Sequence, residues 1–130
     1  MPHLQFDFNK KLKDSQKEKF IQFVKETFAD VMQTGEGHIA ISIREFPKIS
    51  LNLGRVKIGE QVCLMNFDIR EGRTKEQKRK FVRTIMQEVE KTFEIKLNNQ
   101  YATYSSHPAV DFNLYEKFLK NWVKKDNPAG

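Results

Sequence analysis

The chain has 130 residues, the length of one compact domain, and the expectation is a single domain over 1–130. Hydrophobic residues at 38% and charged residues at 31% exclude a disordered chain and suit a soluble globular protein. Twenty-three Lys and Arg against 17 Asp and Glu give a net charge of +6, which admits an anionic partner without choosing among nucleic acid, membrane and small acids.

In chain order, Leu4, Phe6 and Phe8 alternate with His3, Gln5 and Asp7, the period of a half-buried strand. A helix follows, with Phe20, Val24, Phe28 and Val31 in one stripe, Ile21 and Met32 beside it, and Ser15 to Glu18 as its capping box. His38 to Phe46 predicts a second strand, with Ile39, Ile41 and Ile43 on one face. Ser50 to Glu60, with Gly54 and Gly59, reads as a hairpin-forming linker. Met65, Phe67 and Ile69 then begin the pattern again as a third strand. A second long helix carries Phe81, Val82, Ile85, Met86, Val89 and Phe93, with Thr74 to Gln77 as its capping box. Gln100 to Ser106 is a more polar strand, a third amphipathic helix is expected near Asn113 to Lys125, and Asp126 to Gly130 reads as a tail.

A shift of 61 residues superposes the two halves without a gap. Phe6-Asp7-Phe8 falls on Phe67-Asp68-Ile69, Gln16-Lys17 on Gln77-Lys78, Lys19-Phe20 on Lys80-Phe81, and Pro47 on Pro108. Two pseudo-repeats, about 2–61 and 63–122, are therefore expected, each reading strand, helix, strand. Parallel strands joined by a helix need a right-handed crossover. The predicted fold is α+β, two tandem βαβ units forming a four-stranded mixed sheet with both long helices on one face. A bare opposite face carrying residues such as Ile and Leu would call for another subunit.

Three positions stand out chemically. Pro2 shares the parity of Leu4, Phe6 and Phe8, and removal of Met1 would leave a secondary amine at the mouth of the sheet. Such an amine can act as a general base once burial and nearby cations lower its pKa. Arg70 and Arg73 lie between a strand and the start of a helix, where cations oppose the macrodipole, so they make sense beside a shared anion. Elsewhere the signals are bland. His3, His38 and His107 are scattered without metal-ligand spacing, so no metal is expected. Cys63 stands alone, which excludes an internal disulfide, and it occupies the repeat position of Pro2 as a buried small residue. Arg44, Lys75, Lys78, Arg79 and Lys80 read as solvated surface. There is no nucleic-acid motif with interleaved aromatics and no apolar run approaching ~18 residues, so neither nucleic acid nor membrane is an expected partner. With no secretory leader visible in the first residues, a cytoplasmic protein is expected.

The Pro2 start, the two-unit length and the Arg70-Glu71-Gly72-Arg73-Thr74-Lys75-Glu76-Gln77-Lys78 stretch resemble the tautomerase superfamily. The run is similar to that of 4-oxalocrotonate tautomerase, and the pair Arg70 and Arg73, with the stretch from Arg44 onward, looks most like the cis-3-chloroacrylic acid dehalogenase branch. The resemblance implies a cofactor-independent tautomerase, assembled as a homotrimer, acting on a small carboxylate. In it Pro2, Arg70 and Arg73 would be catalytic, with Arg73, Arg70 and Tyr104 binding substrate. The sequence departs from the dehalogenases at three places. Asp30 stands where they carry histidine, Leu114 where they carry the water-activating glutamate, and Thr103, next to Tyr104, where they carry tyrosine. Hydration or dehalogenation of 3-substituted acrylates is the alternative, with Asp30 or Glu116 as substitute carboxylates, and a non-catalytic oligomeric interaction protein is the rival from another class.

Overall fold

The computed structural model describes residues 2–116. Its elements are β1 (His3–Phe8), α1 (Asp14–Met32), β2 (Ala40–Glu45), β3 (Cys63–Arg70), α2 (Lys75–Phe93) and β4 (Gln100–His107). The sheet order is β2-β1-β3-β4. β1 pairs parallel with β2 and β3 parallel with β4, while β1 and β3 meet antiparallel at the centre, His3 opposite Asp68. This is the four-stranded mixed sheet with two helices that the periodicities predict.

The two halves keep step in detail. α1 begins at Asp14 and α2 at Lys75, both run 19 residues, and short 3-10 turns at Lys48–Ser50 and Ala109–Asp111 follow Pro47 and Pro108, all 61 residues apart. Both helices end on a left-handed residue, Gln33 and Glu94, whose N–H bonds back to the carbonyl four residues earlier.

The core forms because every second strand residue meets the helix stripes. Leu4, Phe6, Phe8, Met65, Phe67 and Ile69 are buried against Phe20, Val24, Phe28, Met32, Phe81, Ile85, Val89 and Phe93. Seven phenylalanines form one chain of edge-on ring contacts, Phe8–Phe93–Phe20–Phe6–Phe67–Phe81–Phe28, at 4.9–5.5 Å between centroids. Each such ring contributes roughly 1.5–3 kcal/mol by burial, and edge-on pairs add about 0.5–1.5 kcal/mol each.

Four expectations are corrected. Ser15 does not cap α1: the helix starts two residues earlier in the chain, and Lys13 N–H donates to the Gln16 side chain at 3.3 Å. The 50–60 segment forms no hairpin. Asn9, fully buried, pins it by donating to the carbonyls of Lys48 (2.9 Å) and Glu60 (2.8 Å) and accepting from Val62 N–H (2.7 Å). The open sheet face carries Leu64 but none of the expected isoleucines, because the parallel register sets Ile41 beside Leu4 and Ile43 beside Phe6 on the helix side. The rest of that face is mainly polar, with His3, Gln5, Asp7, Ser42, Arg44, Asn66, Asp68, Thr103 and Ser105 beside Ala40 and Tyr101. Finally, Asn113 to Glu116 are not helical, and the remainder of the expected third helix and the 126–130 tail lie outside the described residues.

Candidate active site

The ends of four elements converge at one end of the sheet. Because His3 lies opposite Asp68 in an antiparallel pair, the start of β1 runs beside Ile69 and Arg70 at the end of β3. Pro2 is buried there, on the parity of the core, and its carbonyl accepts from Ala40 N–H at 2.9 Å. The end of α1 and the start of α2 close the same end through side-chain bonds. Arg73 Nη1 donates to the Met32 carbonyl at 2.8 Å, and Gln77 Nε2 donates to the Val31 carbonyl at 3.2 Å. α1 has no basic residue in its own last turn. Arg73 supplies the cation that the negative end of the macrodipole favours.

The turn that carries the arginines is built around Gly72, at φ +103°. A Cβ there would be strained and would sit 3.1 Å from Arg70 Nη1. The Arg70 guanidinium folds over this turn and donates to the Glu71 carbonyl. Glu71 N–H in turn bonds the His107 carbonyl at 2.9 Å, tying the turn to β4. Thr74 then caps α2 reciprocally with Gln77, at 3.0 and 2.9 Å, as the sequence predicts.

Both guanidinium groups are partly desolvated. Burial, and then repulsion from Arg73, lowers Arg70 to about 10, and burial lowers Arg73 from its ordinary value. A planar guanidinium fork matches a carboxylate bidentately.

Tyr104 sits on the helix face, in register with Phe67, and Thr103 points to the open face. The Tyr104 hydroxyl donates to the Lys78 carbonyl at 2.8 Å in the first turn of α2, and burial pushes its phenol up. Its ring packs edge-on against Phe67, with Lys78 Nζ 5.7 Å from its centroid. Other candidates lie elsewhere. Arg44 is paired bidentately with Asp7 at 2.8 and 2.9 Å on the open face. His3 bonds Ser42 and His107 bonds Asp68 on that same face. Cys63 is fully buried and burial holds its thiol well above the ordinary range. Asp30 and Glu116 are exposed. Among the described residues no group of three His, Cys, Asp or Glu is placed to hold a metal ion. No helix among them is long and apolar enough to cross a membrane. Surface depressions of about 610 Å³ on the outer side of α2, and about 350 Å³ between the start of α1 and the end of α2, contain none of the candidate residues.

Sequence reasoning missed Gln77 as a bridge between helices. Its capping pattern was visible, but its second bond, to Val31, depends on how the helices pack.

No family model matches the sequence, and no curated protein matches it. Solved structures do. The W0 fused 4-OT wild-type symmetric trimer superposes with a TM-score of 0.80 at 17% identity, over 90% of this chain and 97% of that one. A member of the cis-3-chloroacrylic acid dehalogenase family, N1, gives 0.79 at 16% identity, over 91% and 83%. The chain shares with these structures the four-stranded mixed sheet and its two helices. Macrophage migration inhibitory factor of Toxoplasma gondii shares them, with a TM-score of 0.78 at 9% identity over 90% and 99% of the two chains. A malonate semialdehyde decarboxylase is also among the matching structures, with a TM-score of 0.69 at 17% identity over 85% and 88% of the two chains.

Proposed function

We propose that the chain, read as a single domain of two repeats, is a cofactor-independent tautomerase acting on a small 2-oxo or enol carboxylate. One observation carries the reading: buried Pro2 begins the strand that runs beside the Arg70–Arg73 turn, where two cations are partly desolvated. After removal of Met1, the Pro2 nitrogen takes the enol hydroxyl proton and returns a proton to carbon, which completes ketonisation with no other reactant. Burial and the two cations lower the amine's pKa toward working pH, the condition for a general base. Arg73, with Arg70, holds the carboxylate and stabilises the enolate charge as it develops. Tyr104 is read as a further substrate contact. A homotrimer is the assembly we infer, by analogy with the fused 4-OT trimers of the same fold.

The test is ketonisation of phenylenolpyruvate by protein whose intact mass shows Pro2 at the terminus. Pro2→Ala is expected to lower kcat roughly 10²–10⁴-fold, the range of a positioned general base. Unchanged activity in Pro2→Ala would overturn the mechanism. Arg73→Ala is expected to lower kcat/KM by roughly 10²-fold or more. Hydration or dehalogenation of 3-substituted acrylates has less support, because Asp30 and Glu116 are exposed.

A further inference from the structure

The bond from Gln77 to Val31 has a twin. At the opposite end of the helix pair, Gln16 accepts from Lys13 N–H and donates through Nε2 to the Thr92 carbonyl of α2 at 3.0 Å. Gln77 accepts from Thr74 N–H and donates to the Val31 carbonyl of α1. Donors and acceptors are both 61 residues apart. The carbonyl following each also receives a cation: Lys10 Nζ bonds Phe93 at 2.8 Å, and Arg73 Nη1 bonds Met32 at 2.8 Å. Each helix end is thus held by a glutamine and a cation from the other half, satisfying carbonyls that a helix terminus leaves without an intrahelical donor.

The two clasps differ in the cation. Lysine offers three rotatable donors with no fixed plane, whereas arginine presents five donors in a rigid planar fork. An arginine can therefore bond the Met32 carbonyl and present another edge to a carboxylate, with its plane fixed by the first bond. We propose that Gln77 is a positioning residue for the carboxylate site: by locking the last turn of α1 to the first turn of α2, it sets the plane of the Arg73 guanidinium. Gln16 is the same device at the end without the site, where it serves stability alone. The inference rests on Arg73 binding a carboxylate, as argued above.

The twin provides the control. Gln77→Met and Gln16→Met each lose one cap and one bridge, so both should lower the melting temperature by similar amounts. Only Gln77→Met should raise KM for phenylenolpyruvate, about tenfold with kcat within about threefold, as for loss of one hydrogen bond's worth of binding. Gln77→Glu keeps the acceptor for Thr74 but has no donor for Val31, so its KM should be at least as high as that of Gln77→Met. If Gln77→Met does not fold, Gln77→Glu carries the comparison. Restoration of wild-type KM by Gln77→Glu, an equal rise in Gln16→Met, or an unchanged KM in Gln77→Met overturns the proposal. A separate readout needs no activity: the Arg73 guanidinium N–H resonances should be observable in the wild type and broadened in Gln77→Met only. Resonances that persist unchanged in Gln77→Met overturn the positioning role. Wild-type protein without turnover overturns the tautomerase reading and leaves this spectrum to decide the positioning role.

Discussion

The phenol of Tyr104 is half-buried against Phe67 and spends its proton on the Lys78 carbonyl. Burial raises its folded pKa above that of the unfolded chain, so its contribution to stability is fully present below the unfolded value near 10. As pH rises further, the unfolded state releases the proton first, and stability is lost. Tyr104→Phe should therefore cost about 1 kcal/mol at neutral pH, one ordinary hydrogen bond, and should flatten the fall of melting temperature between pH 10 and 12. An identical alkaline slope in both proteins would show that Tyr104 is not the group responsible. The residue was visible in the sequence only as one of two neighbours, Thr103 and Tyr104. The pleat decides between them, because β4 pairs with β3 in the register that sets Tyr104 beside Phe67.

Among the connections between elements, the 50–60 segment depends most on a single side chain. Asn9 lies at the repeat position of Arg70, yet it faces inward and bonds backbone groups at Lys48, Glu60 and Val62. Asn9→Ala strands a buried N–H and leaves two carbonyls to find other donors, a loss of about 3 kcal/mol at roughly 1–3 kcal/mol per stranded buried group. Urea denaturation should show that loss, and trypsin should cut faster at Arg55 and Lys57 in the released segment. Loss of stability below about 1 kcal/mol, with unchanged cutting, would mean that the segment is held elsewhere. The strands and helices were legible because periods of two and 3.6 are local properties of the chain. Asn9 was not, since its partners lie 39 to 53 residues away and no local pattern marks them. The candidate site divides the same way. Pro2, Arg70 and Arg73 stand out by residue type and position, whereas the bridge from Gln77 to Val31 exists only after α1 and α2 have packed. The α1 cap has a similar cause: Ser15 to Glu18 fits the capping pattern, whereas Lys13 to Gln16 does not, since lysine carries no acceptor. The choice falls to Gln16, which also reaches Thr92 across the helix pair.

At the scale of the whole molecule, the proposed trimer turns on the open sheet face. It is mainly polar around Leu64: Arg44 is paired with Asp7, His107 with Asp68 and His3 with Ser42. Packing such a face against other copies calls for matched polar contacts, since each polar group buried without a partner carries a desolvation cost. β2 and β4 are edge strands, and their outer hydrogen-bonding groups are further points of attachment. A trimer that covers this face should be broken by one added charge at its centre, where Asn66 is exposed on β3. Light scattering should give about 46 kDa for the wild type, three chains of 15.4 kDa, and a mass near that of one chain for Asn66→Arg. Intact secondary structure in the variant would locate the effect in assembly rather than folding. A wild-type mass of one chain would overturn the trimer, and a trimeric Asn66→Arg would place the contacts at the strand edges instead of the face.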